Sequence, residues 1–119
     1  MRFAAISMGL GLSISTLVGC GGSIPPPADR LASAEAASRS ARELGADREP
    51  TAALHLKLAQ EEIDSAKKLM ADSDNKRADL VLQRASADAE LSVMLAKVNN
   101  ANAEAQKAKD RVTQIKSGK

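Results

Sequence analysis

The sequence predicts an all-α protein: an antiparallel three-helix arrangement with a long C-terminal helix, after a cleaved signal peptide and a short Gly/Pro tether. Apolar positions recur at spacings of three and four residues, and alanine fills many of them. No stretch alternates apolar and polar residues as a half-buried strand would, and Val and Ile are sparse. The only aromatic residue is Phe3, so we expect shallow helix contacts along alanine seams rather than a deep core.

The first element is an export signal over residues 1–19. Arg2 supplies a minimal positive charge, and the uncharged apolar run that follows is too short for a spanning helix of about 20 residues. The run ends in a sequence that resembles the lipobox of bacterial lipoproteins. Its four residues are Leu17, Val18, Gly19 and Cys20.

This resemblance implies a lipid attachment site at Cys20, the only cysteine of the chain. Its thiol is expected to take a diacylglycerol, the preceding peptide bond to be cut, and the new amine to be open to acylation. Each buried CH₂ contributes about 0.8 kcal/mol, so two or three acyl chains hold a protein on a bilayer almost permanently. Because Gly21 rather than Asp follows, the signal resembles those of outer-membrane lipoproteins. We therefore expect an exported protein anchored in the outer membrane, facing the periplasm.

Residues 20–28 form the lipidated tether, in which two glycines give flexibility and three prolines give stiffness. A helical domain is then predicted over residues 29–117. Its first helix spans about 29–45, with Asp29 as N-cap and Gly45 as the residue that ends it. The apolar stripe of this helix is Leu31, Ala34, Ala37, Ala41 and Leu44.

The second helix is predicted over about 50–72. Pro50 suits a first helical turn, and acidic and polar residues at 72–75 end the helix and can cap the next one. An apolar stripe with alternating spacings of four and three runs along it: Ala52, Leu56, Ala59, Ile63, Ala66 and Met70.

The third helix is predicted over about 75–116, on the order of 60 Å long. Its first part carries a stripe at Ala78, Leu82, Ala85 and Ala89, after which we expect the stripe to change phase. The new stripe has strict heptad spacing and is called the interaction seam. It consists of Leu91, Met94, Val98, Ala101, Ala105, Ala108, Val112 and Ile115.

The interaction seam is longer than the second helix can cover. If that helix folds back along the third, it reaches only to about residue 97. Two interpretations of the uncovered part are open: a frayed, solvated helix, or a surface that self-associates or receives another protein.

The segment from Leu31 to Lys97 resembles DUF4398, a small bacterial lipoprotein domain of unknown function that is often found alone or ahead of OmpA-like domains. The resemblance rests on an alanine ladder before Gly45, on Pro50 followed by residues 54–63, and on the alanine-rich stretch 84–91. Lys76 and Arg77 stand where the family usually has an aromatic residue. The resemblance implies a helical lipoprotein and assigns it no activity.

No group of residues indicates catalysis, a metal site or a cofactor. His55 is the only histidine, and acylation would consume the only thiol. We expect His55 at a helix surface or beside a seam. Glu61 and Glu62 point about 100° apart on a helix, which is typical of a solvated face rather than an acid-base pair. The chain is therefore predicted not to be an enzyme.

The C-terminal end is basic, since residues 97–119 hold six basic and two acidic side chains. Cations at a helix C-terminus are favourable through the helix dipole alone. A second interpretation is weak contact with an anionic cell wall. Nucleic acid is disfavoured by export and by the lack of aromatic stacking residues.

The functional prediction is a lipid-anchored bacterial envelope protein with a non-catalytic structural or docking role at the outer membrane. The alternative is an adaptor or accessory protein that binds a specific envelope protein through the 91–115 seam. Membrane contact through Cys20 and either a homo-oligomer or an envelope protein partner are the partners expected.

Overall fold

A computed structural model describes residues 23–118. The signal peptide, the lipobox and Cys20 lie outside the described residues. The described part contains α1 (Ala28–Glu43), a short 3-10 helix (Ala46–Arg48), α2 (Pro50–Ala71) and α3 (Asn75–Lys116). The predicted all-α fold, with three helices packed together and a long C-terminal helix, is confirmed.

The three helices pack as an up-down-up bundle. Arg30 of α1 contacts Asp79 of α3, and the end of α1 lies beside residue 100, so α1 and α3 run parallel. α2 runs antiparallel to α3, since His55 contacts Asp88 and Glu62, later in α2, contacts Arg84, earlier in α3. Short connections of a few residues favour such packing of consecutive antiparallel helices.

The core is thin because alanine forms most of it. Ile63 and Leu82 are the largest apolar side chains that are fully buried, and they meet alanines of α1, α2 and α3. Small side chains let the helix backbones approach closely, so stability is spread over many shallow contacts. The buried apolar residues of the three helices are Ala34, Ala41, Ala52, Leu56, Ala59, Ile63, Ala66, Ala78, Leu82, Ala85, Ala89 and Ala96.

Two sequence predictions about α1 were wrong. Asp29 is not the N-cap: the helix begins at Ala28, after Pro27, and the Leu31 amide donates to the Pro27 carbonyl over 3.0 Å. The prolines already hold the chain for helix entry, and Asp29 lies in the first turn, where its charge suits the helix dipole. Ala37 is only half-buried, and Ser38 takes the core position between Ala34 and Ala41.

The ends of the helices follow local backbone chemistry. Gly45 follows α1 with φ +81°, a left-handed backbone conformation that suits glycine. α2 begins at Pro50, and the Glu49 carboxylate caps it by accepting from the Thr51 and Ala52 amides. These backbone donors, chiefly that of Ala52, lower the pKa of Glu49.

Candidate interaction surface

The last part of α3 projects from the bundle and is called the arm, residues 97–116. Every described residue from 97 onward is exposed, and Ala96 is the last buried one. At 1.5 Å per residue the arm is about 30 Å long. Beside its base, the Asn100 side-chain amide donates to the Leu44 carbonyl over 2.9 Å and so satisfies a carbonyl at the C-terminus of α1.

The interaction seam predicted from the sequence lies on the face of α3 that points away from the other helices. Exposed fractions are 43% for Leu91, 56% for Met94, 54% for Val98, 49% for Val112 and 72% for Ile115. The three seam alanines are exposed as well: Ala101, Ala105 and Ala108. Since helical residues advance by about 100° each, Leu91 lies about 140° from the centre of the buried stripe.

The expected change of phase after Ala89 was wrong. The buried stripe continues in its original phase through Ser92 and Ala96, and the seam coexists with it on the opposite face. Ser92 can occupy a buried position because its hydroxyl donates to the Ala52 carbonyl of α2 over 2.8 Å. α3 therefore carries two apolar stripes.

The second stripe begins earlier than the sequence predicted. Leu80 is 55% exposed, and Ala87 is exposed between it and Leu91 at heptad-compatible spacing. A surface depression of about 540 Å³ lies beside Leu80 and Ala87. We call Leu80, Ala87 and the interaction seam together the outer stripe; it runs from Leu80 to Ile115 along α3 and is interrupted by Arg84.

Ion pairs lie on the flanks of the bundle rather than on the outer stripe. Arg30 donates to Asp79 over 2.6 Å, and this bond is the main reason that the pKa of Asp79 is lowered. Lys67 and Glu35 are 2.7 Å apart, and their hydrogen bond raises the pKa of Lys67. These pairs join α1 to its two neighbours.

A polar cluster between α2 and α3 was not predicted. His55 Nδ1 lies 2.7 Å from Asp88 Oδ1, and two turns further along α2 Glu62 lies 3.3 Å from Arg84. Burial raises the pKa of Glu62, Arg84 acts in the opposite direction and Asp88 adds to the rise. The cluster joins α2 to α3.

No metal site emerges from the described part of the chain. Among residues 23–118, no three His, Cys, Asp or Glu side chains are grouped so that they could hold an ion. No helix in the same range is long and apolar enough to cross a membrane.

Comparison with known families adds to this geometry. The family described as "Domain of unknown function (DUF4398)" matches residues 29–110. The chain belongs to the DUF4398 family. The DUF4398 match covers α1 and α2 and most of α3, including the first two-thirds of the arm, and it ends before Val112 and Ile115. No significant match was found among curated proteins or among solved structures.

Proposed function

We propose that this DUF4398 protein is a lipid-anchored bacterial envelope protein with a non-catalytic structural or docking role at the outer membrane. The observation that carries the proposal is that the tether and the arm lie at opposite ends of the bundle. The Asn75 side-chain amide donates to the Ile24 carbonyl over 2.7 Å, so the tether lies against the turn between α2 and α3. The arm leaves from the other end.

This arrangement suits a spacer. α3 has 42 residues, which corresponds to about 63 Å between the tether end and the tip of the arm. A lipid on Cys20 would hold the tether end at the bilayer and leave the basic tip at a distance from it. The arm holds five basic and two acidic side chains, and this net positive charge suits an anionic cell wall.

The exposed seam favours a second candidate function, an adaptor that binds a specific envelope protein. Five large apolar side chains project from one helix face, the type of surface that a groove on another protein recognises. The two candidates share the anchor and differ in the occupant of the seam.

The anchor is tested by expressing the full chain in a two-membrane bacterium and measuring the mass of the protein recovered from membranes. We expect a cleaved N-terminus with acyl chains on Cys20, and loss of both in Cys20→Ser. A matched control adds Ser23→Cys to that variant, which restores a thiol three residues from the lipobox and should restore no lipid. An unmodified thiol at position 20 of the wild-type protein would refute the anchor.

The role is tested by crosslinking the anchored full chain in cells. Wild type is compared with Val98→Asp on the seam and with Ala103→Asp, an equal charge change on the opposite face of the arm. A crosslink to a single envelope protein that Val98→Asp abolishes would select the adaptor. Crosslinks to the cell wall or to other copies of the chain would select the structural role.

A further inference from the structure

We infer that the outer stripe binds a second copy of this chain, so that two α3 helices pack antiparallel about a two-fold axis between Val98 and Ala101. The stripe runs along the open face of α3, away from α1 and α2, so the bundle leaves room for a second helix there. The size and charge of the side chains on this face favour that occupant and that direction.

Side-chain sizes match in the antiparallel pairing. With the axis between Val98 and Ala101, each large stripe residue between Ala87 and Val112 meets an alanine of the other chain, and Leu80 and Ile115 lie beyond these layers. The facing pairs are Val98 with Ala101, Met94 with Ala105, Leu91 with Ala108, and Val112 with Ala87. Each pair occurs twice by symmetry, which gives eight layers of nearly equal thickness. Equal layers let two straight helices stay at one spacing, about 8 Å, over their whole contact.

A parallel pair in register lacks this match. Ala101, Ala105 and Ala108 would each face their own copy and form three consecutive thin layers, whereas Leu91 and Met94 would form thick ones. The helices would be held apart by the thick layers and leave voids at the thin ones, which costs dispersion contacts.

The charged residues beside the stripe also favour the antiparallel pair. The residues that flank the stripe on one edge are Glu90, Lys97, Glu104 and Arg111. In the antiparallel pair this edge meets the same edge of the partner, so Lys97 faces Glu104 and Glu90 faces Arg111, each twice. In the parallel pair, Arg111 would face Lys116, and Glu104 with Lys109 would be the one attractive contact.

The length of the contact is that of a weak, reversible interface. The layers from Ala87 to Val112 extend over about 38 Å, and a helix is about 10 Å wide, so the total area buried on the two chains is on the order of 800–1,000 Å². This is below the ~1,200 Å² of stable complexes and in the range of weak, transient ones, which predicts a reversible dimer. The bound partner would cover the stripe residues of the arm from Val98 to Val112 and leave Ile115 exposed.

The dimer also determines how the anchors lie, a consequence that rests on the proposed function. The two tether ends would be about 70 Å apart, at opposite ends of the rod. Residues 21–27 reach roughly 25 Å when extended. Both lipids can therefore enter one bilayer only if the rod lies along its surface, whereas a monomer can stand upright.

Association is tested on residues 21–119 by sedimentation equilibrium. This segment keeps every packed helix, since all buried apolar residues lie between Ala34 and Ala96, and it lacks the anchor, so a failed lipidation does not affect the result. We expect a monomer-dimer equilibrium that Val98→Asp abolishes and Ala103→Asp leaves unchanged. A chain that stays monomeric up to millimolar concentration would overturn the inference.

Direction is tested by charge exchange. Lys97→Glu and Glu104→Lys should each raise the dissociation constant about tenfold, because each turns two attractive contacts per dimer into repulsive ones. The double variant should regain wild-type association. Arg39→Glu on the exposed surface of α1 makes the same charge change away from the stripe and is the matched control. In a parallel dimer the double variant would place two positive side chains together at positions 104 and 109, so failure of the rescue would overturn the antiparallel assignment.

Spin labels give an independent measure of direction. The segment has no cysteine, so Ser117→Cys carries one label per chain. We expect about 50 Å between the two labels in an antiparallel dimer, and a short distance when chains labelled at Ser117→Cys are mixed with chains labelled at Gln83→Cys. Two labels at position 117 within about 25 Å of each other would show a parallel dimer and overturn the inference.

Discussion

Leu82→Ala should lower the free energy of unfolding by about 3 kcal/mol, whereas Leu80→Ala should lower it by less than about 1 kcal/mol. The two leucines lie on the same helix two residues apart, but Leu82 is 0% exposed and Leu80 is 55% exposed. Removing three buried carbon atoms costs about 2.4 kcal/mol. The cavity left at Leu82 adds to this cost, because its neighbours Ala34 and Ala85 have no reach to fill it.

The free energy lost in Leu82→Ala should be a large fraction of the total free energy of unfolding. A packed bundle of about 70 residues is expected to have a total stability of about 3–10 kcal/mol. At about 4–8 °C per kcal/mol, Leu82→Ala should lower the Tm by roughly 12–24 °C. The assay is urea and thermal denaturation followed by circular dichroism at low micromolar concentration, with Leu80→Ala as the control. Equal losses for the two variants would refute the assignment of Leu82 to the core face and Leu80 to the outer face.

The remaining predictions concern buried polar groups. Ser38→Ala should raise the free energy of unfolding by about 1 kcal/mol, since its buried hydroxyl has no hydrogen-bond partner among residues 23–118, whereas Ser92→Ala should lower it by about 1 kcal/mol through loss of the bond to Ala52. A change of the same sign in the free energy of unfolding of both variants, measured by urea denaturation, would contradict this reasoning. The raised pKa of Glu62 means that this group favours folding at low pH, a contribution lost as the pH rises through its folded-state pKa. Glu62→Gln should therefore have a higher Tm than wild type at pH 7, and the difference in Tm should shrink as the pH is lowered toward 4. A difference in Tm that does not change with pH would mean that burial does not oppose the Glu62 charge.

The regular stripe of α2 explains why much of the fold was predictable. Five of its six predicted core residues, from Ala52 to Ala66, are buried, and Met70 is half-buried. Here every position of the buried face is apolar, so period alone identifies it. In α1 and α3 the buried face includes Ser38 and Ser92, and the apolar pattern therefore shifted to a neighbouring alanine or to the wrong face.

Some contacts between the helices join residues that are far apart in the sequence, so the sequence did not predict them. The bond from Asn100 to Leu44 and the pair of His55 with Asp88 join positions 56 and 33 residues apart. Nothing in the sequence around Asn100 or His55 identifies the residue that each of them contacts. The seam itself was recognisable from its heptad spacing, and its exposure became evident only when the other helices were in place.

What the sequence by itself determined were the helix ends and the composition of the faces. Gly45 and Pro50 act within three or four residues, because a helix begins and ends through its own backbone donors and acceptors. Only the tertiary structure decided which apolar stripe of α3 enters the core. Both stripes are apolar enough to form the core face, so the choice depends on where α1 and α2 pack and on how far along α3 they extend. The stripe through Leu82 is buried because the neighbouring helices cover it as far as Ala96, and the stripe through Val98 stays exposed.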